Sequence, residues 1–266
     1  MLSNKIELTI IISYYKAIDN LKLILKALNA QSVNGFEVII SEDDNNNSTE
    51  QFIGANRDCY NFPIIHLNQE TDNGFRKNSM LNKSITKSNS DKLVFIDGDC
   101  IPHKHFAKEY IKNIDDKHFF IGRSLMLSEK ASNELLENES LEVLSLSKLS
   151  SLGSTNLKDG IYFPYFPLIF KLRGIIGRNW GVAKKNLIAI NGFDEDYILA
   201  GVGEDTDVEW RLKGLGLKGK SVKNKAIIYH IYHPRNYSES DVQKNIRLLE
   251  QKQLAGNIRC LNGLNS

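Results

Sequence analysis

The chain has 266 residues, of which 41% are hydrophobic and 25% charged, and this ordinary globular composition excludes a disordered or collagen-like protein. Thirty-four Lys and Arg residues against 32 Asp and Glu residues leave a formal net charge of +2, so no overall field favours binding along a nucleic-acid backbone. Any anionic ligand must therefore be held by a local arrangement of residues.

The first hundred residues alternate β-branched runs with helical patterns, which predicts parallel strands joined by crossover helices. We predict strands over residues 6–13, 36–41, 63–68 and 92–97. The first helix is expected to start at a cap formed by Asp19, because apolar residues follow at helical spacing. Two more helices are predicted near residues 49–57 and 77–86.

After residue 100 the alternation is less regular, and residues 152–178 show no regular pattern. We predict helices over residues 104–113, 132–149 and 204–215 and a last one from about Ser238, with strands over residues 118–123, 180–183 and 225–230. No linker separates two folding units. The sequence therefore predicts one α/β domain over residues 1–266, with a mixed, mostly parallel central sheet flanked by helices.

Polar clusters follow three of the predicted strands, at residues 13–15, 42–44 and 97–99. In open parallel sheets, ligands bind at the carboxyl ends of the strands. The third cluster, Asp97-Gly98-Asp99, places two carboxylates one residue apart, and such a pair suits Mg²⁺ or Mn²⁺ bound together with substrate phosphates. The alternative is an ordinary surface turn.

Three acids, Glu204, Asp205 and Asp207, fall on the first turn of a predicted helix, just after Gly201 and Gly203. The helix dipole stabilises negative charge there and keeps a carboxylate available as a base. Simple capping of the helix is the alternative interpretation.

Two further clusters carry cations or histidines. His230 and His233 lie at the end of a predicted strand, where an imidazole can complete a metal site, although a structural role is the alternative. Arg76 and Lys77 open a predicted helix, whose N-terminus is suited to a diphosphate, although solvated basic residues would fit the same pattern.

The three cysteines, Cys59, Cys100 and Cys260, are odd in number and lack metal-ligand spacing, so we expect buried thiols in a reducing compartment. The longest uncharged apolar run, residues 161–170, is too short to span a bilayer and contains two prolines. We therefore expect a cytoplasmic protein. Peripheral contact with the inner face of the membrane, through aromatic residues within 162–171, is an alternative to core packing of that segment.

In their order along the chain, these clusters resemble the motifs of the inverting glycosyltransferases of family 2, which share an A-type α/β fold. The similarity is strongest to the branch that contains chondroitin polymerases and β-1,4-galactosyltransferases. It covers residues 7–234, and its specific parts are residues 74–82, 95–102 and 179–205.

The resemblance implies roles for individual residues. Asp205 matches the general base, and Glu204 would line the sugar pocket. Asp99, with Asp97 and His230, would hold Mn²⁺ or Mg²⁺. The implied donor-binding residues are Ser13, Tyr14, Tyr15, Asp43, Arg76, Asp97, Gly98 and Trp180. The family's Asp-Asp-Gly-Ser run is here Glu42-Asp43-Asp44-Asn45, which leaves open whether Asp43 or Glu42 meets the nucleotide base.

The activity implied by the resemblance is metal-dependent transfer, with inversion, of a hexose or N-acetylhexosamine from a nucleotide sugar, with UDP as the expected nucleotide. The acceptor would be a glycan or a lipid-linked saccharide in bacterial surface polysaccharide synthesis. Residues 1–100 would bind the donor, residues 101–235 the acceptor, and residues 236–266 would form a C-terminal helix. Residues 132–171 match no motif, and we expect acceptor specificity to lie there.

Two other functions compete with this one. A sugar nucleotidyltransferase also uses metal-bound carboxylates on a parallel sheet, but it needs a glycine-rich phosphate loop after the first strand, and residues 13–16 contain no glycine. A non-catalytic nucleotide- or glycan-binding module would not need Asp97, Asp99, Asp205 and His230 together.

Overall fold

Four parallel strands form the first half of the central sheet in a computed structural model, which describes residues 5–165, 172–201, 203–234 and 237–265. They are β1 (Leu8–Tyr14), β2 (Phe36–Glu42), β3 (Ile64–Leu67) and β4 (Lys92–Asp97). Their order is β3-β2-β1-β4, and Ser13 lies opposite both Ser41 and Asp97. This register brings the carboxyl ends of β2, β1 and β4 side by side.

Three helices connect these strands: α1 (Ile18–Asn29), α2 (Asn47–Asn56) and α3 (Lys77–Lys87). The expected Asp19 cap is wrong, because α1 begins at Ile18 without a side-chain cap. Asp19 instead lies in the first turn and pairs with Lys22 at 2.8 Å. A carboxylate there still favours the helix through its dipole, which is why the residue type suggested a cap.

The second half begins with β5 (Cys100–Pro102), α4 (Phe106–Asn113), β6 (His118–Ile121) and β7 (Arg123–Met126). The single strand predicted over residues 118–123 is thus two strands, which belong to different sheets. The break falls at Gly122, where a Cβ atom would lie 2.1 Å from the Asn179 amide. A larger residue would not fit at this point, where the chain passes from one sheet to the other.

The long helix predicted over residues 132–149 is also wrong. The structure has α5 (Glu129–Asn138), a 3₁₀ turn over Leu141–Leu144, and α6 (Leu146–Ser151). Helix α5 ends at Asn138, and the next residue, Glu139, has a left-handed φ of 47°. Each of the three segments buries its own apolar residue, namely Leu135, Val143 and Leu149.

The remaining elements are β8 (Trp180–Ala183), α7 (Lys184–Ala189), α8 (Glu204–Gly214), β9 (Lys218–Ser221), β10 (Ile227–His230) and α9 (Glu239–Ala255), which Ser238 caps. The main sheet has the order β3-β2-β1-β4-β8-β6-β9, with β8 antiparallel to both neighbours. A three-stranded sheet, β5-β10-β7, lies beside it. Strands from both sides of residue 100 therefore share one sheet.

Successive side chains along each strand point to opposite faces of the main sheet, so the hydrophobic core is divided into two clusters, one on each face. Ile10 and Ile12 face the cluster that includes α1, whereas Ile11 and Phe95 face the cluster that includes Ile85 of α3. Among the cysteines, Cys100 and Cys260 are buried as expected, but Cys59 is exposed at the end of a short 3₁₀ turn. No helix within the described residues is long and apolar enough to cross a membrane.

Candidate active site

The site lies where β1, β2 and β4 end together. The Asp43 N–H donates to the Tyr14 carbonyl at 2.8 Å, and the Gly98 N–H donates to the Ser13 carbonyl at 2.7 Å. These bonds hold the three polar clusters of the sequence analysis in one row. Tyr15 follows β1 and is 55% exposed, with the Lys16 ammonium 4.6 Å from its ring centre.

Asp43 holds the loop that leads into α3. Its carboxylate accepts hydrogen bonds from the Arg76 N–H at 3.0 Å and from the Gln69 amide at 2.9 Å. Burial raises the pKa of Asp43 to about 6, although these hydrogen bonds oppose the shift. Glu42, the other acid considered for the nucleotide base, is fully buried and bonds to His66 at 2.6 Å, so it is turned away from the site.

Two of the expected donor-binding residues do not present their side chains at this edge. Tyr14 is 1% exposed, and its hydroxyl lies 3.4 Å from that of Thr49. Trp180 is also 1% exposed, because β8 pairs it with Phe95, on which its ring stacks at 4.6 Å. Both side chains belong to the core, so the expectation that they line a ligand pocket is wrong.

Lys77 reaches the carboxyl end of β4. Its ammonium lies 3.1 Å from the Asp97 carboxylate and 3.8 Å from that of Glu204. Arg76 instead lines a cleft on the outer side of α3 with Ser79 and Lys83. Arg76 is the non-helical residue before α3, and its guanidinium donates to the Phe75 carbonyl at 2.8 Å, so the two cations expected to act together face different surfaces.

Glu204 and Asp205 open α8 across from this lysine. The helix begins after Gly203, whose φ of 137° and 2.9 Å Cβ approach to the Tyr197 ring require glycine. Asp205 accepts a hydrogen bond from the Gly177 N–H at 2.7 Å. Burial raises the pKa of both carboxyls, and their mutual repulsion adds to the shift at Glu204, whereas the Lys77 charge opposes it at both. Neither acid merely caps the helix.

Asp207 has a different environment from its two neighbours. Its carboxylate bonds to the Arg211 guanidinium at 2.7 and 2.6 Å, and both side chains are only 1% exposed. Arg211 also donates to the carbonyls of Ile190 and Gly192. Asp207 therefore serves the fold and is not available as a base.

A candidate metal-binding arrangement forms where the turn between β4 and β5 meets the end of β10, since Cys100 of β5 pairs with His230. Ligand atoms of Asp99, His230 and His233 all lie within 4.8 Å of one another. His233 donates to Asp99 at 2.9 Å, and the His230 Nε2 atom lies 3.6 Å from the same carboxylate oxygen. Burial lowers the pKa of His230, which keeps its imidazole neutral and able to bind a metal. Asp97 lies outside this group and bonds to Lys77 instead.

The sequence indicates Lys77 and His233 as candidates but reveals neither their observed contacts nor the link between α3 and the loop before α8. The Asn82 side chain bonds to both backbone groups of Phe193, and the Asn78 amide donates to the Asp194 carbonyl. The only sign of this link in the sequence is that these four residues lie within residues 74–82 and 179–205, two of the segments that carry the family resemblance.

Comparison with known protein families identifies the family to which the chain belongs. The model described as glycosyl transferase family 2 matches residues 9–166, which is more than half of the chain. The model described as the N-terminal domain of galactosyltransferase matches residues 161–234. The chain belongs to glycosyltransferase family 2, and the resemblance to its galactosyltransferase-like branch is confirmed.

Solved structures confirm the A-type glycosyltransferase fold. TarS from S. aureus is 17% identical with a TM-score of 0.58, covering 93% of this chain and 39% of that one. A mannosyltransferase from Pyrobaculum calidifontis, in complex with GDP-Man and Mn²⁺, is 13% identical with a TM-score of 0.61, covering 95% of this chain and 65% of that one. GalNAc-T7 with UDP, GalNAc and Mn²⁺ is 11% identical with a TM-score of 0.65, covering 93% and 48% respectively.

The chain thus spans between 39% and 65% of the length of these three structures. Comparison with curated proteins gives no significant match.

Proposed function

We propose that this protein is a metal-dependent inverting glycosyltransferase that moves a hexose or N-acetylhexosamine from a UDP-sugar to a glycan or lipid-linked saccharide in bacterial surface polysaccharide synthesis. The observation that carries the proposal is the meeting of two groups of residues at one sheet edge. The first is the Asp99, His230 and His233 cluster, and the second is the Lys77, Asp97, Glu204 and Asp205 cluster. Structures of similar fold contain UDP or GDP-Man together with Mn²⁺.

The donor-binding half of the proposed site is formed by residues 1–100. Ser13, Asp97 and Gly98 lie at adjoining strand ends, and Tyr15 offers an exposed ring beside them for the nucleotide base. Asp43 contributes by holding the loop before α3. Residues 101–235 would supply the acceptor side, and α9 begins just after them.

Asp205 is the proposed general base. Its carboxylate removes the proton of the acceptor hydroxyl, and the hydroxyl oxygen forms a bond to the anomeric carbon as the bond from that carbon to the diphosphate oxygen breaks. The electron pair of the broken bond leaves with the nucleoside diphosphate. The Gly177 N–H fixes one oxygen of Asp205, and Glu204 lies beside it to contact a sugar hydroxyl.

Asp99, His230 and His233 fit a divalent metal ion. The Nδ1 atom of His230 is buried without a hydrogen-bond partner among the described residues, and its Nε2 atom faces Asp99. Two imidazoles favour a transition metal such as Mn²⁺ over Mg²⁺, which prefers oxygen ligands. When bound, the ion would neutralise charge on the departing diphosphate.

Among the described residues, only Tyr165 supports the proposed membrane contact through residues 162–171. Tyr162 packs against His103 and His105, and its hydroxyl donates to Glu109 at 2.7 Å, so this aromatic residue serves the core. Tyr165 is exposed, and residues 166–171 lie outside the described residues. We propose a cytoplasmic location. If the acceptor is lipid-linked, the protein would meet it by peripheral contact with the inner face of the membrane.

A thermal-shift screen of nucleotide sugars, with and without Mn²⁺, tests the proposal. A ligand that binds only the native state raises the melting temperature. We expect UDP-sugars to stabilise the protein only when Mn²⁺ is present, and ADP- and GDP-sugars to do so less. The absence of stabilisation by every nucleotide sugar with any divalent ion would contradict the proposal.

A further inference from the structure

A narrow pocket of about 60 Å³ lies beside the proposed active site and is lined by three arginines. Arg123 comes from β7, and Arg173 and Arg178 come from the segment that leads into β8. Asn156 and Asp159 form the opposite wall. A pocket of this size accommodates a group of a few heavy atoms.

None of the three arginines forms a salt bridge with an acid among the described residues, although the Asp159 charge acts favourably on Arg123. Asp159 pairs with Lys223 at 2.7 Å, so its charge is already matched. Arg178 donates through Nε to the Ser124 hydroxyl at 2.9 Å, which orients its guanidinium without cancelling its charge. The Nη1 atom of Arg123 is buried and has no hydrogen-bond partner among the described residues.

Such an arrangement opposes folding unless something compensates for it. A buried donor without a partner costs about 1–3 kcal/mol, and like charges repel. Burial lowers the pKa of Arg123, and the charges of Arg173 and Arg178 add to this effect, whereas the Asp159 charge opposes it. An oxyanion in the pocket would satisfy the donors and neutralise the charges through bidentate contacts.

The pocket is joined to the proposed catalytic residues by short links. The Gly177 N–H binds the Asp205 carboxylate, and Arg178 is the next residue. The Asn179 amide donates to the carbonyls of Arg123 and Ala226, and Ala226 directly precedes β10, which carries His230. A ligand held by the arginines would therefore lie on the same side of the active site as Asp205, the proposed base.

We propose that this pocket binds an anionic group of the sugar acceptor, a phosphate or a carboxylate, and so selects acidic acceptors. This inference rests on the proposed function, because it assigns the anion to the acceptor of that transfer. It also gives the loosely patterned region between residues 152 and 178 a role in acceptor choice.

The test measures binding of two probes, glycerol phosphate and glucuronate, by isothermal titration calorimetry to protein saturated with UDP and Mn²⁺. We expect one or both to bind, and about tenfold weaker binding for Arg123→Gln and for Arg173→Gln, since each removes charge-assisted hydrogen bonds. Arg57→Gln, which makes the same change on an exposed residue outside the pocket, should bind as the wild type does. Binding of one probe alone identifies the phosphate or the carboxylate as the preferred group.

The melting temperature of Arg123→Gln provides a second readout. Because the Nη1 atom of this side chain is buried without a hydrogen-bond partner among the described residues, and two other arginines lie beside it, loss of its charge should leave the melting temperature unchanged or raise it. A fall of several degrees would show that Arg123 supports the fold and would contradict the proposal.

Two outcomes of the titration would overturn the inference. In the first, UDP and Mn²⁺ bind but neither probe does. In the second, the probes bind the protein when UDP is absent but not when it is present, which would assign the arginines to the donor diphosphate. Failure of UDP to bind at all would instead contradict the proposed function, and with it the assignment of the anion to a sugar acceptor.

Discussion

Three acids within one helical turn of α8 have three different surroundings. Glu204 faces the Lys77 ammonium, Asp205 accepts the Gly177 N–H, and Asp207 is locked to Arg211 in the core. Their spacing in the sequence could not distinguish them, because each partner comes from a distant part of the chain or from the buried face of the helix. The contacts leave Asp205 and Glu204 as the acids available for chemistry.

Asp205→Asn tests the assignment of the base. The amide keeps the shape of the side chain but cannot take a proton, so we expect transfer to fall by about 10²- to 10⁴-fold while UDP binding is retained. Steady-state kinetics and calorimetry provide the two measurements. Asp58→Asn, on an exposed acid outside the site, is the matched control. Undiminished transfer by the Asp205 variant would move the base to Glu204.

The metal cluster gives a second prediction for single residues. His230→Ala and His233→Ala should each weaken Mn²⁺ binding by at least about tenfold, as expected when a ligand or its close support is removed. Titration of Mn²⁺ followed by electron paramagnetic resonance measures this directly. His118→Ala is the matched control, because His118 pairs with Asp115 outside the cluster. Unchanged affinity in the His230 variant would return that residue to a structural role.

Secondary-structure elements were predictable where their side chains follow a pattern. Strands β1, β2 and β4 of the first half are largely buried and rich in apolar residues, and β4 has its predicted bounds of Lys92–Asp97. Strand β9 was missed because Lys218–Ser221 contains no apolar residue and pairs with β6 through its backbone. Strand β5 has only three residues. The pattern of side chains cannot reveal strands that depend on backbone pairing.

The buried ion pair on α8 leads to a prediction about stability. Asp207→Asn leaves Arg211 with an uncompensated buried charge, so the free energy of unfolding should fall by about 3–5 kcal/mol. Asp205→Asn, two residues earlier, breaks no salt bridge among the described residues, because Asp205 accepts a hydrogen bond from the Gly177 N–H, and it should cost much less. Urea denaturation of the two variants makes the comparison. Equal losses would show that the two acids do not differ in role as we describe.

For the molecule as a whole, the site could be predicted in position but not in orientation. The ends of parallel strands gather at one edge, so the clusters at residues 13–15, 42–44 and 97–99 were correctly expected to meet there. Whether a side chain at a strand end faces the ligand or the core depends on register. Tyr14 and Trp180 turn inward for that reason, and no sequence pattern marks the inward direction.

The near balance of charge, a net of +2, also takes on a local meaning across the whole molecule. Acids gather at the ends of β4 and at the start of α8, and arginines gather in the pocket beside them. A single net value conceals both groups. The acids can be recognised from the sequence because they are close together in the chain. The arginines cannot, because their positions are up to 55 residues apart.

The most direct test of inverting, metal-dependent sugar transfer is the anomeric configuration of the first product. Proton NMR can follow the sugar released when the protein cleaves an α-linked UDP-sugar in the presence of Mn²⁺, with water as the acceptor. We predict that the β-anomer forms first, that chelation of the metal stops the reaction, and that Asp205→Asn slows it strongly. Initial release of the α-anomer, or cleavage that proceeds at the same rate without metal, would contradict the account.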